Sequence, residues 1–261
     1  MQSVTSISGG QSSAYIAKNY PTDYNVFALV TISDKRCTPK DSGLVQSVSD
    51  RIGREFIATP EDDTILHTIL DLEQELGRRI EWVVGKPFDD LRKSSLPNIT
   101  WRHCTELMKI KPIFKWWKEK FSQPVQMNIG FRAGEDRRAS NMLSKCNEQG
   151  LRAYGKTYWQ RPHFPMIQDG IHRDKVVEFW RGGGVRFAEQ NNCVGCFHRS
   201  PLVLRKMFDL HPEKMRWFEE MEAVKGAQWK SEISYTDIKA HQPQHEINFS
   251  DWGCDTGYCG L

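Results

Sequence analysis

No stretch of this 261-residue chain approaches the ~18–20 consecutive apolar residues that a membrane-spanning helix needs. The N-terminus also lacks the basic-then-apolar pattern of an export signal. Together these absences predict a soluble, cytoplasmic protein with no membrane partner. Charge of one sign is lacking as well. Lys and Arg number 36 against 33 Asp and Glu, for a net charge of +3. That balance permits contact with nucleic acid without arguing for it. No internal repeat and no low-complexity segment is visible, which excludes solenoids and tethers.

What is present suits a folded chain with a sizeable core. Hydrophobic residues make up 39% and charged residues 26%, and there are nine Trp and thirteen Phe. The length fits one large domain, or one domain with an appendage. Seven cysteines in a chain of this size do not resemble a disulfide scaffold. In a reducing compartment such cysteines serve as ligands, nucleophiles or core residues.

Strand-like and helix-like stretches alternate in the first half. "YNVFALVTIS" (24–33) is a near-continuous apolar run, as in a parallel strand buried on both faces. "DTILHTILDLEQEL" (63–76) has helical spacing, and "RIEWVVG" (79–85) reads as a strand. "CTELMKIKPIFKWWKEKF" (104–121) reads as a helix interrupted at Lys111, because Pro112 disfavours helix before it. "VQMNIGF" (125–131) is a further strand, and residues 3–7 are β-prone. After about residue 150 the strand signal weakens, and 172–180 and 212–226 read as helices. The expected fold class is α/β: an open, mainly parallel sheet with flanking helices over 1–150, plus a smaller helical, cysteine-bearing region over 151–261.

Two local patterns carry chemistry. "SISGGQSSAY" (6–15) places two glycines and a run of hydroxyls between a strand and a helix. It is either a tight turn or an anion cradle, in which glycines admit a phosphate to the backbone and the helix start offers free N–H groups. "NNCVGCFHRSP" carries Cys193 and Cys196 as C-x₂-C, with Gly195 favouring a tight turn. Two thiolates so spaced can meet one metal or form a redox pair, and two core cysteines remain the plain alternative. Further ligands would come from Cys104, Cys146, Cys254, Cys259 or His198.

Taken in order, these segments resemble a known family. "SISGGQSSAY" is similar to the pyrophosphate loop of the N-type ATP pyrophosphatases, Ser-Gly-Gly-x-[Asp/Ser/Thr]-Ser. "HCTELMKIKP" (103–112) and "CVGCFHRSP" resemble the cluster-binding segments of sulfonucleotide reductases, and the terminal "YCGL" resembles the end that carries their nucleophile. "GFRAGEDRRA" (130–139) fits the same branch. The chain thus resembles the phosphoadenosine phosphosulfate reductase-like branch of the pyrophosphate-loop superfamily over residues 3–225. Three departures stand out: Ser12 where many ATP-using relatives have Asp, His103 where the reductases have a second cysteine, and Tyr258 in place of an acidic residue.

The resemblance implies a nucleotide-binding core over 1–150 with ATP and Mg²⁺ held by Ser8, Gly9, Gly10, Gln11, Ser12 and Ser13. Ser33 and Asp34 follow the second strand at the edge that faces a ligand, although a cap serves Asp34 equally well. The implied metal ligands are Cys104, Cys193, Cys196 and Cys254, holding a 4Fe–4S cluster or, alternatively, zinc. Arg132, Lys109 and Cys259 are the implied catalytic residues. Arg137 and Arg138 either reach phosphate or form a solvated face, as do Lys109 and Lys111. Cys37 and Cys146 have no motif. The implied activity is adenylation of a nucleic acid for sulfur insertion, with DNA phosphorothioation ahead of tRNA thiolation. A sulfur donor such as a cysteine desulfurase and a homodimer are the expected partners. A phosphoadenylyl- or adenylyl-sulfate reductase, and a non-catalytic assembly subunit with structural zinc, are the rival readings.

Overall fold

The computed structural model describes residues 1–90 and 95–241. Six strands form one sheet: β1 (Ser3–Ile7), β2 (Tyr24–Leu29), β3 (Glu81–Val84), β4 (Val125–Asn128), β5 (Arg152–Tyr154) and β6 (Thr157–His163). Their order is β3-β2-β1-β4-β6-β5. All neighbours are parallel except the β5–β6 pair. The expected α/β class with an open, mainly parallel sheet is what the chain adopts.

Helices cover both faces. They are α1 (Gln11–Asn19), α2 (Ser42–Ile52), α3 (Asp63–Leu76), α4 (His103–Thr105), α5 (Lys111–Lys120), α6 (Asp136–Leu143), α7 (Pro165–Gln168), α8 (Arg173–Trp180), α9 (Pro201–Leu210), α10 (Pro212–Lys225) and α11 (Tyr235–Ala240). Alternation along β2 divides the core. Phe27 and Leu29 pack with Ile16, Ile65, Leu66, Ile69 and Trp180, from α1, α3 and α8. Val26 and Ala28 pack with Ile113, Trp117, Met127 and Trp159 on the other face. Two buried faces explain why β2 reads as a continuous apolar run. A third cluster joins Val30 and Ile32 to Val194, Phe197, Trp217, Phe218 and Trp229, so the C-terminal helices pack against the segment after β2.

Three expectations change. The apolar run at 24–33 stops being strand at Leu29, and Ile32 instead donates its N–H to the Ala58 carbonyl at 3.0 Å. The helix is not broken at Lys111, whose φ of −60° and ψ of −44° are helical. A π-helical turn, Glu106–Ile110, precedes it. The wider turn accommodates the ring and missing N–H of Pro112, which an α-helical turn would reject. The sheet also continues past residue 150, since β5 and β6 extend it beyond β4. Their short, mixed sequences hide strand character that pairing supplies. Among the described residues no helix is long and apolar enough to cross a membrane.

Candidate functional site

The strand order reverses between β1 and β4, so the loops that follow them diverge at one crevice above the strand ends. Gly9, at φ +77°, turns the chain from β1 into α1. Gly10 is the N-cap, and no side chain caps the helix. The first N–H groups of α1 therefore face the crevice unpaired by any cap. Gly130, after β4, allows the second loop to approach closely, because a Cβ there would stand 3.3 Å from the Ser13 nitrogen. Gly130 was legible only as a glycine ending a strand, and its partner lies 117 positions away in sequence (130 − 13).

The serines divide their work. Ser13 is buried and donates its hydroxyl to the Gly10 carbonyl at 3.0 Å. It accepts from the Ser8 nitrogen at 3.1 Å, and its Oγ lies 3.2 Å from that of Ser8. A hydroxyl has one hydrogen to give, so Ser13 shapes the loop while Ser12 is left to face the cavity. Gly9 also departs from its expected role. A Cβ there would meet Ile65 Cγ2 at 2.6 Å, on α3, rather than a ligand.

A cavity of about 500 Å³ opens at this crevice. Ser8, Gly10, Gln11, Ser12 and Ser13 line it, and so do Cys104, Cys193, Cys196, Lys109 and Arg132. Residues from the glycine loop, the π-turn helix and the C-x₂-C turn thus share one wall system. Arg102, Arg138 and Arg173 add positive charge, against the carboxylates of Glu135 and Glu189. Glu135 accepts from the Arg132 backbone at 2.8 Å and from Arg138 at 2.5 Å. Burial alone would raise its pKa, but these donors and charges hold it below its usual value. Its negative charge is consumed in aiming two arginines, and Arg138 lies 4.1 Å over the Phe131 ring. A volume of this size with cationic walls suits a nucleotide.

Ser33 and Asp34 do not line the cavity. The Ser33 nitrogen donates to Asp89 at 2.6 Å, and Asp34 caps the short turn Lys35–Cys37 by accepting from the Arg36 nitrogen at 2.9 Å. The chain bends away from β2 after Leu29, so these residues leave the strand edge. Arg137 is exposed and lies outside the cavity wall, whereas Arg138 lines it. Cys254 and Cys259 lie outside the described residues.

The Cys193–Cys196 turn is held from behind. Cys196 donates its N–H to the Cys193 carbonyl at 3.1 Å, and Val194 donates to the Pro60 carbonyl at 2.9 Å. Gly195 packs against Phe218, whose ring carbons a Cβ would meet at 2.4 Å, and its carbonyl accepts from Tyr235 Oη at 2.8 Å. Burial raises the Cys104 pKa, with Cys196 adding to the effect. Burial also pushes the Cys193 thiol well up, helped by Glu61 and opposed by Lys109. Each of the three sulfurs has a cation in electrostatic reach: Arg102 and Lys109 for Cys104, Lys109 for Cys193, Arg199 for Cys196. Cys37 donates to the Glu213 carbonyl and Cys146 to the Met142 carbonyl, both away from this cavity.

Among the described residues no three His, Cys, Asp or Glu side chains are grouped as a single metal ion would need. Three cysteines lining one cavity, with Arg102, Lys109 and Arg199 in electrostatic reach, do fit a polynuclear, negatively charged iron–sulfur centre, which spreads its thiolates over several irons. Mg²⁺ takes one or two carboxylates together with substrate phosphates. Of the two lining carboxylates, Glu135 is committed to arginines and Glu189 pairs with Lys206 at 3.4 Å.

Glu61 was not anticipated from the sequence. It is 1% exposed, and its Oε1 lies 3.1 Å from Lys109 Nζ. Its backbone pairs with Cys193. Only the run Glu61-Asp62-Asp63 leading into α3 hinted at it, and that run reads as ordinary acidic residues at a helix start. Comparison of the chain with protein-family models, curated proteins and solved structures finds no match.

Proposed function

We propose that this chain is an ATP pyrophosphatase-type enzyme that adenylates a nucleic acid for sulfur insertion, at a DNA phosphodiester. The observation that supports it is the cavity itself. One concave space is lined by a Ser-Gly-Gly loop at a helix start and by three cysteines from two distant segments.

The chemistry needs two displacements. A phosphodiester oxygen attacks the α-phosphorus of ATP, the α–β bridge bond breaks, and pyrophosphate departs. A sulfur nucleophile then attacks the adenylated phosphorus, and AMP leaves with the oxygen. The chain's own groups meet these demands. The N–H groups of α1, the Ser12 hydroxyl and Arg132 and Arg138 bind the phosphates and take up charge as pyrophosphate leaves. Lys109, held by Glu61, places a cation near Cys104 and Cys193, where sulfur chemistry occurs. Phe131, Met108, Phe187 and Phe197 line the same cavity and exclude water. Cys104, Cys193 and Cys196 would hold the iron–sulfur cluster, which when bound supplies sulfur-binding iron.

Anaerobically purified protein should be incubated with ATP, Mg²⁺, DNA, cysteine, a cysteine desulfurase and a dithiol reductant that releases the desulfurase persulfide as sulfide. Pyrophosphate release dependent on DNA, with phosphorothioate found by mass spectrometry, is the expected result. Sulfite release from an adenylyl sulfate with no pyrophosphate from ATP would overturn the reading in favour of a reductase.

A further inference from the structure

Gly10 has φ −99° and ψ 158°, an extended conformation open to any residue. Its backbone does not require glycine, so the reason lies in what stands beside it. A Cβ at Gly10 would lie 2.6 Å from Nδ2 of Asn191. The Asn191 amide is therefore laid against the glycine loop at the start of α1. Asn191 also lines the cavity, and its side chain makes no hydrogen bond to a described residue. An amide presented to a cavity at an anion cradle, with its donors unspent, is placed to bind a ligand.

The segment that carries Asn191 is the one that carries the cysteines. Gln190 is buried on one side, and Cys193 and Val194 on the other pair with Glu61 and Pro60. One residue, Asn192, separates Asn191 from Cys193. The loop has a second tie to the chain's C-terminal half, since Trp180 Nε1 donates to the Gln11 carbonyl at 3.1 Å.

We infer that Asn191 binds a phosphate seated on the glycine loop and thereby couples nucleotide occupancy to the position of the Cys193–Cys196 turn. The inference rests on the reading of the loop as a nucleotide site. A neutral donor suits this task. Asn191 adds hydrogen bonds at the phosphate without adding charge to a wall already rich in arginine, and its short side chain transmits the phosphate's position to the backbone that holds the sulfur ligands.

The test uses the full chain and ATP as the probe. Titration calorimetry measures affinity for the wild type, Asn191→Ala and Asn191→Asp, and hydrogen–deuterium exchange follows segments 8–13 and 190–197 with and without saturating ATP. ATP should slow exchange in both segments of the wild type. Asn191→Ala should weaken ATP about tenfold, the loss of one hydrogen bond to a charged group, and at saturation should keep protection at 8–13 while losing it at 190–197. Asn191→Asp should weaken ATP further, because it sets a carboxylate against phosphate. Should the aspartate variant fail to fold, Asn191→Ser takes its place, and melting temperatures confirm which variants are intact. A wild type that binds no ATP removes the nucleotide reading itself. A wild type that binds ATP, with variants equal to it in affinity and in exchange at 190–197, overturns the role of Asn191 and leaves that reading standing.

Discussion

Glu61 and Lys109 form an ion pair at 3.1 Å that joins two parts of the cavity wall. Lys109 sits in the π-turn after Cys104, and Glu61 pairs through its backbone with Cys193. Burial disfavours the charged lysine, but the Glu61 carboxylate and the Cys193 sulfur outweigh it and raise its pKa. One carboxylate thus fixes a cation, 48 residues from it in sequence, between two sulfur-bearing segments.

Removing that carboxylate leaves the lysine without its counter-ion. Glu61→Ala should lower the unfolding free energy by about 1–3 kcal/mol, since breaking one side of a largely buried pair costs more than the pair contributes. Glu61→Gln with Lys109→Met should recover most of the loss. Urea midpoints with an unchanged denaturant slope check both. Equal midpoints for Glu61→Ala and wild type would show that the pair is solvated and does not organise the wall.

The two loop glycines should fail in different ways. Gly9→Ala combines a left-handed φ with a 2.6 Å clash against Ile65, so a loss on the order of 2–4 kcal/mol in stability is expected. Gly10→Ala strains no backbone and only displaces the end of Asn191, so stability should change by less than about 1 kcal/mol while ATP affinity falls. Calorimetric melting and ATP titration on the same samples separate the two. A Gly9 variant as stable as the Gly10 variant contradicts the assignment.

Iron content should track three cysteines. Cys104→Ser, Cys193→Ser and Cys196→Ser, purified anaerobically, should each lose most of the bound iron and acid-labile sulfide. Cys37→Ser and Cys146→Ser should retain both, because their sulfurs bond to helix carbonyls outside the cavity. Stoichiometric zinc with no iron in the wild type would replace the cluster with a structural site.

Acid stability should depend on Asp62. Burial raises its pKa, but hydrogen bonds from His211 and the Thr64 backbone prevail and bring it to about 2. An acid whose folded pKa lies below its unfolded value stabilises the fold fully above the unfolded pKa, near 4, and loses that contribution as pH falls through about 2. The shift corresponds to roughly 2 kcal/mol. Asp62→Asn should therefore be less stable than wild type at pH 6, with the two curves converging between pH 4 and pH 2. Curves that stay parallel across that window would place the acid sensitivity elsewhere.

Elements whose signal is local were legible. The helix Asp63–Leu76 begins at the Asp62 cap and stops at Gly77, φ +60°, as its periodicity and punctuation require. The strand–Gly-Gly–Ser–helix junction was legible for the same reason: each residue answers to its immediate neighbours. The π-turn before Pro112 was not, because the proline announces a conflict and only the surrounding helix decides how it is resolved. Strands β5 and β6 were missed because pairing with β4, not composition, makes them strands. Ser33 and Asp34 were assigned to the ligand edge on the assumption that β2 runs to its last apolar residue, and it ends four residues sooner than Ser33.

By itself the sequence determined the α/β class, the glycine loop and the identity of the cysteines, since alternating periodicity and turn chemistry are properties of neighbouring residues. Tertiary structure alone decided that Cys104 and the Cys193–Cys196 turn line the cavity of the glycine loop, that Glu61 holds Lys109 there, and that Asn191 rests on Gly10. Those relations join positions tens to nearly two hundred residues apart. They follow from how the helices close over the strand ends, and no local pattern encodes the distance between two side chains that only packing brings together.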